Sequence, residues 1–211
     1  LLIDLLNLGA DPYLKNEFEV RVPGKLNVIQ ELAFLGYNGS LEKLERNKVD
    51  LKKVDELPTD QVKTINFFLD RSYPASKIKV SQEFLRLNST EEQNNILDKG
   101  VPISHLTFSA FDYLQLSTAR RAVLSSHGFT HSQVNIKGCQ PEQAWQIIKL
   151  LPSRINDTVH WEGLPLYVLT LCQPFTGTAK SEYNLKTPVC IDTLDKYYKM
   201  GADLNRNCGY P

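Results

Sequence analysis

The sequence predicts an all-α chain, a solenoid of roughly six degenerate helix-turn-helix repeats. Three observations carry that expectation. The first is a helix ending shared by the two ends of the chain. Leu5-Leu6-Asn7-Leu8-Gly9-Ala10-Asp11 stands near the start, and Tyr197-Tyr198-Lys199-Met200-Gly201-Ala202-Asp203 near the finish. Glycine after an apolar helical turn can take the left-handed conformation, where a Cβ would clash, and so stops the helix. Aspartate then closes a tight turn through its own carboxylate. The second observation is a period. Stops at Ser72, Gly100 and Gly128 stand 28 residues apart, with others near Asn47 and Ser153. A step of about 30 residues suits one helical hairpin per repeat. The third is the thinness of strand signals: there is no long alternating run, and no Asn-Gly or Asp-Gly turn between β-rich segments.

Taken in order, the elements follow from local chemistry. Leu1-Leu2-Ile3-Asp4-Leu5-Leu6 carries an acid and lacks the basic lead of a signal peptide, so it reads as the end of an amphipathic helix begun upstream. A helix over 59–70 has Thr59 as its cap and Val62, Ile65, Phe68 and Leu69 on one face. Ser89 and Glu92 have capping-box spacing and start a helix over 90–99. Helices over 106–116 and 118–126 form a pair joined at Ser117. Pro141 sits at the first position of a helix over 141–151, with Ala144, Ile147, Ile148 and Leu151 at i, i+3, i+4 and i+7. Helices over 164–172 and 188–200 make the last pair, the second capped by Thr187.

Composition narrows the function. Lys+Arg and Asp+Glu are both 24, so the formal net charge is zero. Nucleic-acid binders draw most of their affinity from phosphate neutralisation, and no basic surplus is present to supply it. No apolar run reaches the ~18 residues of a membrane span. Cys139, Cys172, Cys190 and Cys208 are isolated and read as reduced, partly buried thiols in the cytoplasm. His127 and His131 have a spacing that suits zinc on a helix, but Gly128 between them ends the helix. Cys139 precedes a helix start, where the dipole favours a thiolate, yet the simpler reading is a small buried hydrophobe. No metalloprotease, nucleophile-elbow, phosphate-loop or dinucleotide motif occurs. The expectation is a chain with no catalytic residue, no metal and no cofactor.

Gly201-Ala202-Asp203-Leu204-Asn205 and Gly9-Ala10-Asp11 resemble the second half of an ankyrin repeat, which ends Leu-Leu-x-x-Gly-Ala-Asp-x-Asn. Gly163-Leu164-Pro165-Leu166-Tyr167 resembles a degraded repeat opening, with Tyr where His is usual. Leu32 to Gly39 resembles the mid-repeat segment. The resemblance spans the whole chain by period and the two ends by motif; between 48 and 160 hardly any consensus residue survives, and 173–186 looks like an insertion. It implies one ankyrin-like repeat domain over 1–211, monomeric, that binds another protein without catalysis through hairpin fingers and inner helices on the concave side. By match to the Gly-Ala-Asp turns, Asp11, Tyr13, Lys15, Asp203, Asn205 and Arg206 would sit at fingertips. By period, Tyr73, Ser104, His105, Phe129, His131, Arg154 and Trp161 would sit on other fingers. An alternative is a substrate-targeting module of a larger enzyme, or of a bacterial effector acting in a host cell.

Overall fold

The computed structural model describes residues 2–15, 25–159, 163–174, 183–185 and 191–205. They are mainly helical and fall into two compact units, one of 1–106 with 119–129 and one of 107–118 with 130–211. The first unit holds α1 (Leu2–Asn7), α2 (Val28–Phe34), α3 (Asn38–Arg46), β1 (Leu57–Pro58), α4 (Val62–Leu69), β2 (Ile78–Lys79), α5 (Glu83–Leu87) and α6 (Thr90–Asp98). The second holds β3 (Phe108–Ser109) and α7 (Ala110–Gln115). All but the first residue of α8 (Thr118–Ser126) belongs to the first unit. The second continues with β4 (Val134–Asn135), α9 (Pro141–Leu150), α10 (Leu166–Leu171), β5 (Cys172–Pro174), β6 (Tyr183–Leu185) and α11 (Ile191–Lys199). Among the described residues no helix is long and apolar enough to cross a membrane.

Left-handed residues end the helices where the sequence places stops. Gly9 and Gly201 both have φ of 92°, Gly100 has 90° and Gly128 has 83°. Ser72 and Lys48 take the same region, at 61° and 65°, without the freedom of glycine. The two Gly-Ala-Asp endings are alike bond for bond. Gly9 N–H donates to Leu6 and Ala10 N–H to Leu5; Gly201 N–H donates to Tyr198 and Ala202 N–H to Tyr197. Lys48 and Val49 repeat that pairing onto Glu45 and Leu44, and Ser72 and Tyr73 repeat it onto Leu69 and Phe68.

Beyond three stops the chain makes a 3-10 turn, at Leu51–Lys53, Ala75–Lys77 and His131–Gln133. The N–H of Lys53, Lys77 and Gln133 donates to the carbonyl of Asp50, Pro74 and Thr130 respectively. The residue after each turn, Val54, Ile78 or Val134, is buried. Short parallel pairings then set register: Leu57 opposite Ile78 in the first unit, Phe108 opposite Val134 in the second. The first unit buries Ile29, Leu41, Leu44, Ile65, Phe68 and Phe84, all at most 1% exposed. The second is built on Ala144, Ile147, Ile148, Leu166 and Leu169, all fully buried.

Two expectations need correction in detail, and two features are new. The helix expected from 59 begins at Val62, because Thr59 Oγ1 donates to the carbonyl of Ala33 at 2.9 Å instead of serving a helix end. The helix expected from 106 begins at Ala110: Leu106 and Phe108 turn into the core, and Ser109 Oγ accepts the N–H of Asp112 as the cap. Helix α5 is new. The parallel pairs are also new, since two-residue strands leave no alternation to read.

Candidate interaction surface

The sequence-predicted fingertips divide into side chains that build the turns and side chains that face out. Asp11 and Asp203 build. The Asp11 carboxylate accepts the N–H of Tyr13 at 2.9 Å, and that of Asp203 accepts the N–H of Asn205 at 3.1 Å. Asp50, two residues past Lys48, does the same for Lys52 at 3.0 Å, so a third turn of this kind lies at a stop without glycine. Tyr13 is half-buried. Its hydroxyl donates to the carbonyl of Asp50, and the Lys53 ammonium lies 5.5 Å from its ring centroid.

Tyr73 and Phe129 are core residues, 2% and 7% exposed. The Tyr73 hydroxyl donates to the Val54 carbonyl at 3.0 Å, and burial, followed by the charges of Asp55 and Glu56, pushes its ionisation up to about 12. These two rings follow the left-handed stops directly and turn inward. Lys15, Ser104, His105, His131, Asp203 and Asn205 are exposed. The His105 ring Nε2 lies 2.7 Å from the Val80 carbonyl, and His131 Nδ1 lies 3.4 Å from Ser153 Oγ. Trp161 and Arg206 lie outside the described residues.

Arg154 is half-buried and fully engaged. Its Nε donates to Asp157 at 2.7 Å, and one Nη donates to the carbonyls of His131 and Val134. It lines an open cleft of about 540 Å³ in the second unit, together with Ser132, Asn135, Lys137, Asp157 and Thr158. Beside this, Asn156 ties a Gly-Ala-Asp turn in place: its amide donates to the Gly201 carbonyl and accepts the N–H of Asp203.

Sequence reasoning missed a cluster on α9 and α11. Trp145 is half-buried and meets Tyr197 edge-on, with ring centroids 5.9 Å apart. Lys196 Nζ stands 4.3 Å from the indole centroid and Lys149 Nζ 5.6 Å from it. The i, i+4 spacing of Trp145 and Lys149 was a readable signal; Lys196 arrives from a distant segment and was not.

Chemically the surface offers hydrogen bonds, ammonium groups and aromatic faces. Among the described residues no three His, Cys, Asp or Glu side chains group as metal ligands do. Cys139 is 4% exposed, and burial together with the Glu142 charge pushes its thiol up to about 12, away from the thiolate a nucleophile needs. His127 faces Asp98 at 3.0 Å and its own helix carbonyl at Val123, 2.8 Å away. No family model matches the chain, and no curated protein or solved structure matches it.

Proposed function

We propose that the chain is an ankyrin-type stack of helical hairpins that holds a partner protein, without catalysis, through its loop tips and the first helix of each hairpin. One observation carries this reading: the loops after Lys48, Ser72 and Gly128 are built alike. Each has a left-handed stop, an apolar residue beside it, a 3-10 turn and a buried apolar residue six positions after the stop. That is how successive copies of one unit behave when each covers the apolar face of the next.

Support also comes from bonds that span roughly one period. In the first unit Gln30 donates to the Glu56 carbonyl, Thr64 to Asn38, Arg71 to Glu45 and Asn88 to the Asp60 carbonyl, at separations of 26, 26, 26 and 28 residues. The core of such a stack is spent on neighbouring copies, so the polar loop residues are free to vary and to meet a guest.

Affinity capture from the source cells, followed by amide exchange on the purified pair, tests the reading. Protection is expected at the loops carrying His105 and His131 and along α9. Protection confined to α3, α6 and α8, the second helices of their hairpins, would exclude this surface.

A further inference from the structure

We propose that Trp145, Lys149 and Lys196 form the docking point for an acidic segment of a protein partner. This rests on the reading of the chain as a binding module and names the chemistry of its guest. Two ammonium groups, from α9 and α11, converge on one indole at 5.6 and 4.3 Å from its centroid. Each is drawn to the ring quadrupole, and each repels the other. Asp195, the acid next to Lys196, is held by Lys199 at 2.6 Å. Among the described residues no carboxylate pairs with Lys149 or Lys196, and the indole N–H donates to none of them.

A half-buried tryptophan flanked by two unpaired cations is a receptor for a carboxylate. The guest oxygen atoms would meet two charge-assisted donors, and its neighbouring methylenes would cover the ring. Glu142, one turn before Trp145 on α9, and Asp192, one turn before Lys196 on α11, bound the patch with negative charge at its N-terminal edges. Helix α9 is also the helix that follows a loop of the repeated kind, so the docking point falls on the surface proposed for the partner.

The test uses the full chain carrying Trp161→Phe, in which Trp145 is the only remaining tryptophan. Octaglutamate is titrated while indole fluorescence is followed, with octalysine as the opposite-charge probe. A saturable change with octaglutamate alone, weakened by added salt, is expected. Lys149→Gln and Lys196→Gln should each weaken binding about three- to tenfold, and the double charge reversal Lys149→Glu/Lys196→Glu should abolish it. Circular dichroism confirms that the variants keep their helices. A change that octalysine also produces, or that survives the charge reversal, overturns the proposal. If captured partner is retained by the charge-reversed chain while octaglutamate fails to bind, this docking point falls and the binding-module reading stands.

Discussion

Ser72 shows at the level of a single residue what the repeated stop demands. It holds φ of 61° where Gly100 and Gly128 occupy the corresponding stops, so its Cβ sits in a region that costs an L-residue about 1–2 kcal/mol. Ser72→Gly should therefore raise stability by about 0.5–1 kcal/mol, the extra freedom of the unfolded chain offsetting part of the relief. Gly100→Ala should lower it by about 1–2 kcal/mol, since φ of 90° is strained for any side chain even though the nearest neighbour, Ala75 Cβ, is 3.9 Å away. Urea unfolding reads both. Tyr73 and Cys139 make the second prediction at this scale. Both are acids whose neutral form the fold favours, with ionisation pushed up to about 12. Their contribution is complete below the unfolded ionisation range, about 8.5 for the thiol and about 10 for the phenol, and is lost as pH rises from there toward about 12. The urea midpoint should stay level with respect to these groups up to pH of about 8 and fall above about 9. Tyr73→Phe should flatten the upper part of the fall while costing about 1 kcal/mol for the bond to Val54. Iodoacetamide at neutral pH should label Cys139 at least about tenfold more slowly in the folded chain than in urea, as peptide mass would show.

Helices were legible where their ends are decided locally. Ser89 and Glu92 cap α6 reciprocally, and Pro141 opens α9; both depend on residues three or four apart, and both starts match the expectation. Helix α5 was not legible. It has five residues and no period to read, and tertiary bonds fix its entry: Ser81 donates through its N–H and hydroxyl to Asp60, both at 2.6 Å. The start of α4 was misplaced because Thr59 has a choice of partners, and only the fold brings the Ala33 carbonyl within reach. Contacts between elements give the next prediction. Arg71, beside the stop at Ser72, donates to Glu45 at 2.9 Å and to the Phe67 carbonyl at 3.0 Å, and its guanidinium lies 3.6 Å from the Phe67 centroid. Lys99 and His127 hold the same position before their own stops and also reach back, to Asn66 and Asp98. The Arg71–Glu45 pair is about a third exposed or more on each side, so screening leaves it roughly 0.5 kcal/mol. The cation–π contact adds about 0.5–1 kcal/mol. Arg71→Ala should thus cost about 1–1.5 kcal/mol in urea unfolding, and Arg71→Lys should recover only part, since lysine lacks the planar fork.

At the scale of the whole molecule, the helix stops were readable and the direction of each loop side chain was not. Tyr73 and Phe129 looked like exposed loop aromatics because sequence locates the stop but not the face that the next residue presents. After Ser72, Gly100 and Gly128 the next position, Tyr73, Val101 or Phe129, is buried, whereas Tyr37 after the left-handed Gly36 is exposed, so the stop alone does not fix the face and packing decides it. The docking cluster failed to show for a related reason: Trp145 and Lys149 share a helix face, but Lys196 is brought to them only by packing. The proposed stack of short units would keep damage local, because each unit would be stabilised chiefly by its neighbours. Phe84 of α5 is fully buried in the first unit, and its truncation to Ala should cost about 3–5 kcal/mol. Amide exchange should then accelerate most in α5 and α6 and less in α4, which Lys99 joins to α6 through Asn66. In α2 and α3, with α4 standing between them and the lesion in the chain, the change should stay within about threefold. An equal loss of protection in α2, α3, α5 and α6 would mean that the first unit shares one undivided core. The repeated loops would then be a local habit of the chain and not the joints of a stack.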